Sequence, residues 1–175
     1  GGSFRVYAMK KNGNERLFAN QPYRDIAKVR VESLIEYEKT LKLDIPETWF
    51  NFKKQVDELK EKTVSFIRQA KNDGKKIFAI GASTKGNTLL QYFGLNENDI
   101  EAIVERNPEK VGFKTPGSNI RICSEEEFRN THADYALVLI WPFISEIIER
   151  ESEFLKKGGK LIVPAPKFEI IGNVA

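Results

Sequence analysis

From residue 76 onward, apolar runs of strand length alternate with stretches of helical spacing, and no other feature restricts the fold as tightly. "KIFAIG", "IEAIVE", "YALVLIW" and "KLIVPAP" are short and apolar at nearly every position. Strands of that kind are covered on both faces, the situation of a parallel sheet whose crossover helices lie above and below it. The intervening stretches supply those helices: "STKGNTLLQYFG" ending at Gly94, "SEEEF" after Cys123, and the amphipathic "ISEIIERESEFLKKGG". Ser124 and Glu127 have the spacing of a capping box. "NIRIC" is a candidate further strand. The pattern predicts an α/β fold: a Rossmann-like, doubly wound, mostly parallel sheet. Right-handed crossovers place the strand at residue 77 in its centre.

Two long helices come first. Ile26, Val29, Ser33, Tyr37 and Leu41 recur at helical spacing between about Pro22 and Leu43. Asp44, Pro46 and Glu47 form a start signal for a second helix that reaches about Asn72. Its apolar stripe is Phe52, Val56, Leu59, Thr63, Phe66 and Ala70. The first residues, "GGSFRVYAMKK", alternate as a half-buried strand with no neighbour close in sequence to pair with. The expected organisation is a remnant strand and turn of an upstream domain over residues 1–20, a helical linker or packing layer over 21–74, and the Rossmann-like domain over 75–175. The orphan strand suggests a piece of a larger protein.

Composition narrows the function classes. The net charge is +3, with 28 basic and 25 acidic residues interleaved, so no basic stripe marks a nucleic-acid surface. No apolar run approaches a membrane span of about 18 residues, and the start lacks a signal-peptide pattern. The expectation is a cytoplasmic protein with no nucleic-acid or membrane partner. One cysteine, Cys123, and one histidine, His132, cannot form an internal disulfide or a typical zinc site. No Ser-His-Asp set or paired carboxylates with a plausible base is visible, so no catalytic residue and no metal ligand is named.

The chemistry points to Gly81–Thr88, "GASTKGNT", where the central strand turns into a helix. In a doubly wound sheet ligands bind beyond the C-terminal strand ends, where strand order reverses. The helix that follows offers free N–H groups and a positive dipole end there. Gly81, Gly86 and Thr88 fit the phosphate loop G-x-x-x-x-G-K-[ST], but Asn87 stands where its lysine is required and Lys85 is two places early. Gly81 and Gly86 fit the dinucleotide loop G-x-G-x-x-G, but Ser83 replaces the middle glycine. Glu105, at the end of the second strand, stands about where an acidic residue would take ribose hydroxyls. An NAD-binding oxidoreductase domain is therefore one alternative. The plain alternative is a structural interaction domain whose glycines only let a strand turn into a helix. Lys85 and Asn87 favour a ligand, because a charge and an amide suit diphosphate oxygens and sugar hydroxyls. At other strand ends stand Glu105-Arg106-Asn107-Pro108, the turn "KTPGSN", and Trp141-Pro-Phe143, where an aromatic can stack on a base or sugar.

Five stretches in order, "GGSFRVY", "GASTKGNTLL", "IVERNPEKVGFKTPGSNI", "LVLIWPF" and "GGKLIVPAP", span nearly the whole chain. Together they resemble the C-terminal domain of the SAM-dependent sugar C-methyltransferases, which act on nucleotide-linked deoxy-keto sugars. The resemblance implies a domain that packs on an upstream methyltransferase domain and helps hold the nucleotide-sugar. It implies that SAM, the zinc cysteines and the catalytic base belong upstream, with no cofactor on this chain, which alone would be inactive. It carries over Gly81, Ser83, Lys85, Gly86 and Asn87 as substrate contacts, with Glu105, Pro116, Gly117 and Trp141 beside them. The chain departs from the family in having Glu105 for a usual Asp, Pro142 for Asn and Arg121 for Pro.

Overall fold

The structure, a computed structural model, describes residue 6 and residues 21–172, the side chains of residues 21–25 excepted. The strand expected over residues 1–20 lies outside the described residues, Val6 apart. The chain forms two compact units, residues 1–54 and residues 55–175.

In the first unit, helix α1 (Gln21–Thr40) is followed by a turn and the opening turns of α2 (Pro46–Asn72). Pro46 occupies the first helical position, where its missing N–H costs nothing. The Trp49 indole N–H donates to the Leu43 carbonyl at 2.7 Å, and its ring meets Phe52 edge-on at 6.4 Å. Ile26, Val29, Leu34, Tyr37, Phe50 and Phe52 all remain exposed.

The second unit is built on a six-stranded sheet. Its strands are β1 (Ile77–Ile80), β2 (Ile103–Glu105), β3 (Ile122–Ser124), β4 (Tyr135–Val138), β5 (Lys160–Val163) and β6 (Glu169–Ile171). Their order is β3-β2-β1-β4-β5-β6. The first five are parallel, with Ala79 opposite Ile103 and Leu137. β6 runs antiparallel to β5, with Leu161 opposite Ile171. The expected α/β Rossmann-like fold is observed, with β1 in the centre and the reversal of strand order beside it.

Residues of β1 alternate between two cores. Ile77 and Ala79 join Ile67 and Ala70 of α2 and Leu90 and Phe93 of α3 (Thr84–Phe93) on one face. Phe78 and Ile80 join Phe128 of α4 (Glu125–Asn130), Ile147 of α5 (Ile144–Arg150) and Leu155 of α6 (Ser152–Lys156) on the other. Ile67, Ile77, Leu90, Leu137 and Ile147 are wholly buried. Each such side chain contributes about 1.5–3 kcal/mol relative to solvent exposure, which fixes the helices against the sheet and so fixes the strand ends.

Several expectations need refining. The strand over "YALVLIW" stops at Val138, and Trp141–Phe143 forms a single 3-10 turn. The helix over residues 144–159 breaks at Glu151 into α5 and α6. There Glu151 is buried among Arg129 and Arg150. β6 was not expected. The capping box at Ser124 forms its first half: Ser124 Oγ accepts from the Glu127 N–H at 3.1 Å.

Candidate functional site

β1 ends at Ile80, and the chain must then turn sharply beneath the end of β4. Gly81 does this with φ of +94°, and a Cβ there would lie 2.7 Å from Ile140 Cγ2. A side chain is excluded both by backbone strain and by contact. Ser83 follows in an extended conformation and caps α3, its Oγ accepting from the Gly86 N–H at 3.0 Å. Gly86 is excluded from carrying a side chain for a different reason: its Cβ would lie 2.7 Å from Leu139 Cβ. The two glycines therefore let the first turn of α3 approach the end of β4.

Glu105 braces this loop from the neighbouring strand. One carboxylate oxygen accepts from the Ala82 N–H at 3.0 Å. The other accepts from the N–H groups of Arg106 and Asn107, each at 3.0 Å. The Lys110 ammonium lies 3.5 Å from the first oxygen and donates to the Ala82 carbonyl at 3.0 Å. Asn107 sets up this contact by capping the 3-10 turn Pro108–Lys110, its Oδ1 accepting from the Glu109 N–H at 3.0 Å. A carboxylate offers about four lone-pair directions; three backbone N–H groups take three of them, and the Lys110 charge stands beside the same group. Glu105 thus fixes both N–H and C=O of Ala82 through one charge and its lysine.

A cleft of about 150 Å3 opens here, at the C-terminal ends of β1, β2, β3 and β4. Gly81, Ala82 and Ser83 form one wall, Glu105, Arg106 and Lys110 the second, and Glu125, Ile140 and Arg150 the third. Arg106 and Arg150 share two carboxylates. Glu125 lies 3.9 Å from Arg106 and 3.4 Å from Arg150; Glu146 lies 3.5 Å and 3.8 Å from the same pair. Arg150 also donates to the buried Glu151 at 3.0 Å. The cleft therefore sets three cationic side chains and two carboxylates, Glu105 and Glu125, around a backbone loop at a helix N-terminus.

The sequence-derived residues divide accordingly. Gly81, Ser83 and Glu105 line the cleft. Lys85 is exposed on the first turn of α3, and Gly86 is buried against Leu139. Asn87 Oδ1 is buried with no hydrogen-bond partner among the described residues. Pro116 and Gly117 stand further along α3, where the Gln91 amide donates to the Pro116 carbonyl at 3.1 Å. Trp141 is half-buried directly after Ile140. None of Lys85, Asn87, Pro116, Gly117 and Trp141 lines the cleft. Lys110, Glu125 and Arg150 do, and sequence reasoning named none of them. Arg106 appeared only as part of a strand end.

A family profile for the C-methyltransferase C-terminal domain matches residues 1–166. The chain belongs to the C-methyltransferase C-terminal domain family. Its similarity extends to C-methyltransferase NovU of Streptomyces niveus, with 40% identity over 105 residues, which are 60% of this chain and 25% of that protein. The chain thus spans about a quarter of the length of that relative. In this C-methyltransferase C-terminal domain, no helix among the described residues is long and apolar enough to cross a membrane. Among the described residues, no three His, Cys, Asp or Glu side chains group as a metal site.

Proposed function

We propose that this C-terminal domain holds a nucleotide-linked keto-sugar for a SAM-dependent C-methyltransferase, whose upstream part carries out the methyl transfer. The observation that carries the reading is the cleft at the strand reversal, where Arg106, Lys110 and Arg150 surround the loop Gly81–Ser83. Family membership supports the methyltransferase context. An anionic diphosphate suits this cleft. SAM is assigned to the upstream part, which supplies the methyl group. This chain's share is positioning, which contributes several kcal/mol to a barrier when it fixes the reacting carbon. The exposed apolar side chains of α1 and early α2 are assigned to packing on that upstream part.

Glu105 weighs against an NAD reading, since its carboxylate is engaged by three N–H groups and Lys110 instead of being open to ribose hydroxyls. Calorimetric titration with uridine and thymidine diphosphate sugars, and separately with NAD, tests the proposal. Heat with a diphosphate sugar and none with NAD is expected. Heat with NAD alone contradicts the proposal.

A further inference from the structure

Of the three cations in the cleft, Lys110 is already committed, its ammonium serving the Ala82 carbonyl and Glu105. The arginines are held differently. Arg106, Glu125, Arg150 and Glu146 form a closed ring of alternating charge whose four contacts run from 3.4 to 3.9 Å. None of the four is a hydrogen bond, and Glu125 Oε1 is buried without one among the described residues. The ring holds the guanidinium groups in place by charge and leaves N–H donors unspent. Its two acids differ. The Glu125 side chain is 24% exposed and lines the cleft, whereas that of Glu146 is 57% exposed at the start of α5 and does not.

We infer that Arg106 and Arg150 are the ligand's phosphate-gripping side chains, that Glu125 is their positioning residue, and that Glu146 is a built-in competitor which the ligand's phosphate displaces. The inference rests on the proposed binding of a nucleotide-linked sugar and names the groups that read its diphosphate. A planar guanidinium can offer two parallel N–H groups to a phosphate while its remaining edge stays near a carboxylate. Glu125 is part of the cleft wall and cannot leave cheaply. Glu146 faces solvent, and an exposed carboxylate is easily exchanged for a diphosphate bridge, which carries two negative charges in all. With Glu146 swung out, the ring keeps two positive charges and one negative, and the bound anion completes it.

The two acids therefore predict opposite signs, which a merely structural ion network would not produce. The test is calorimetric titration of the chain with thymidine diphosphate, uridine diphosphate and inorganic pyrophosphate, with thermal unfolding of each variant as the fold control. Arg106 and Glu146 are both mostly in solvent, so their substitution leaves the core intact. R106A is expected to weaken nucleoside diphosphate binding about tenfold or more, with R106K recovering only part of it. E125Q is expected to weaken it several-fold, and E146Q to tighten it about two- to fivefold. If wild type binds none of the three probes, the proposed function falls and this inference with it. If wild type binds and R106A matches it, only the arginine assignment is overturned. Unchanged or weaker binding by E146Q overturns the competitor role, and unchanged binding by E125Q overturns the positioning role.

Discussion

Replacing Glu105 by glutamine removes a charge and almost no volume, so it isolates what the carboxylate does for the loop. In the native chain its oxygens accept from the N–H groups of Ala82, Arg106 and Asn107 at 3.0 Å, and Lys110 stands at 3.5 Å. Glutamine keeps one oxygen. If that oxygen stays with Arg106 and Asn107, the amide NH2 confronts the Ala82 N–H and the Lys110 ammonium, donor against donor. If it turns the other way, Arg106 and Asn107 lose their acceptor. A charge-assisted hydrogen bond is worth about 1.5–3 kcal/mol, a neutral one about 0.5–1.5, and an unmet buried donor costs about 1–3. The Glu105 side chain is only 15% exposed, so water compensates little. Lys110 recovers hydration, being about half in solvent. The expected loss is roughly 2–4 kcal/mol, a fall in Tm on the order of 5–15 °C for a protein of this size. Urea unfolding should show a lower midpoint with an unchanged m value. E109Q, at an exposed position in the next turn, should remain within about 0.5 kcal/mol of wild type. A wild-type midpoint for E105Q would refute the view that this carboxylate braces the Gly81–Ser83 loop.

G86A should destabilise by about 1–2 kcal/mol, because overpacking against Leu139 Cβ at 2.7 Å outweighs the helix-propensity gain of about 1 kcal/mol; equal or higher stability in thermal unfolding would contradict this. L139A should not rescue it, since the Cβ stays. Burial pushes the Cys123 thiol up to about 11, so iodoacetamide at pH 8 should alkylate the native chain far more slowly than the urea-unfolded one, read by mass spectrometry; equal rates would refute the burial. For Asp134, burial pushes the pKa up, but the Lys76 N–H and the Lys75 ammonium outweigh it and hold the carboxyl below its usual range. A depressed folded pKa means stabilisation that is present above the unfolded value of about 3.9 and lost as pH falls through the folded one. D134N should therefore lower Tm at pH 7, with the deficit narrowing from about pH 5 to about pH 3. A deficit that does not change with pH would show that charge is not its cause.

The central strands were legible because residues 77–80, 136–138 and 161–163 are buried on both faces and therefore apolar throughout, a signal that needs no partner residue to be recognised. The turn at Gly81 was legible for a related reason, since strand, glycines and helix are contiguous. Ends and breaks were not. Leu139 and Ile140 are as apolar as Val138, yet Ile140 packs on Gly81 while Trp141–Phe143 coils into a turn. Glu151 interrupts the helix through an ion network that periodicity cannot register. The cleft's far wall was illegible for the same physical reason. Glu125 starts a helix after β3 and Arg150 ends one after β4, and only the parallel crossovers bring them to the end of β2. Lys110 reaches Ala82 because a turn reverses the chain, which its distance in sequence from Glu105 does not disclose. Glu105 itself was found by position, but its engagement with three backbone N–H groups follows from geometry alone.

The most direct test of the central claim is the backbone amide spectrum of the 15N-labelled chain during titration with a thymidine or uridine diphosphate sugar. The largest shifts are expected at Gly81, Ala82, Ser83 and Arg106, saturating together. Saturable shifts confined to other parts of the sheet, with these four amides unmoved, would contradict it.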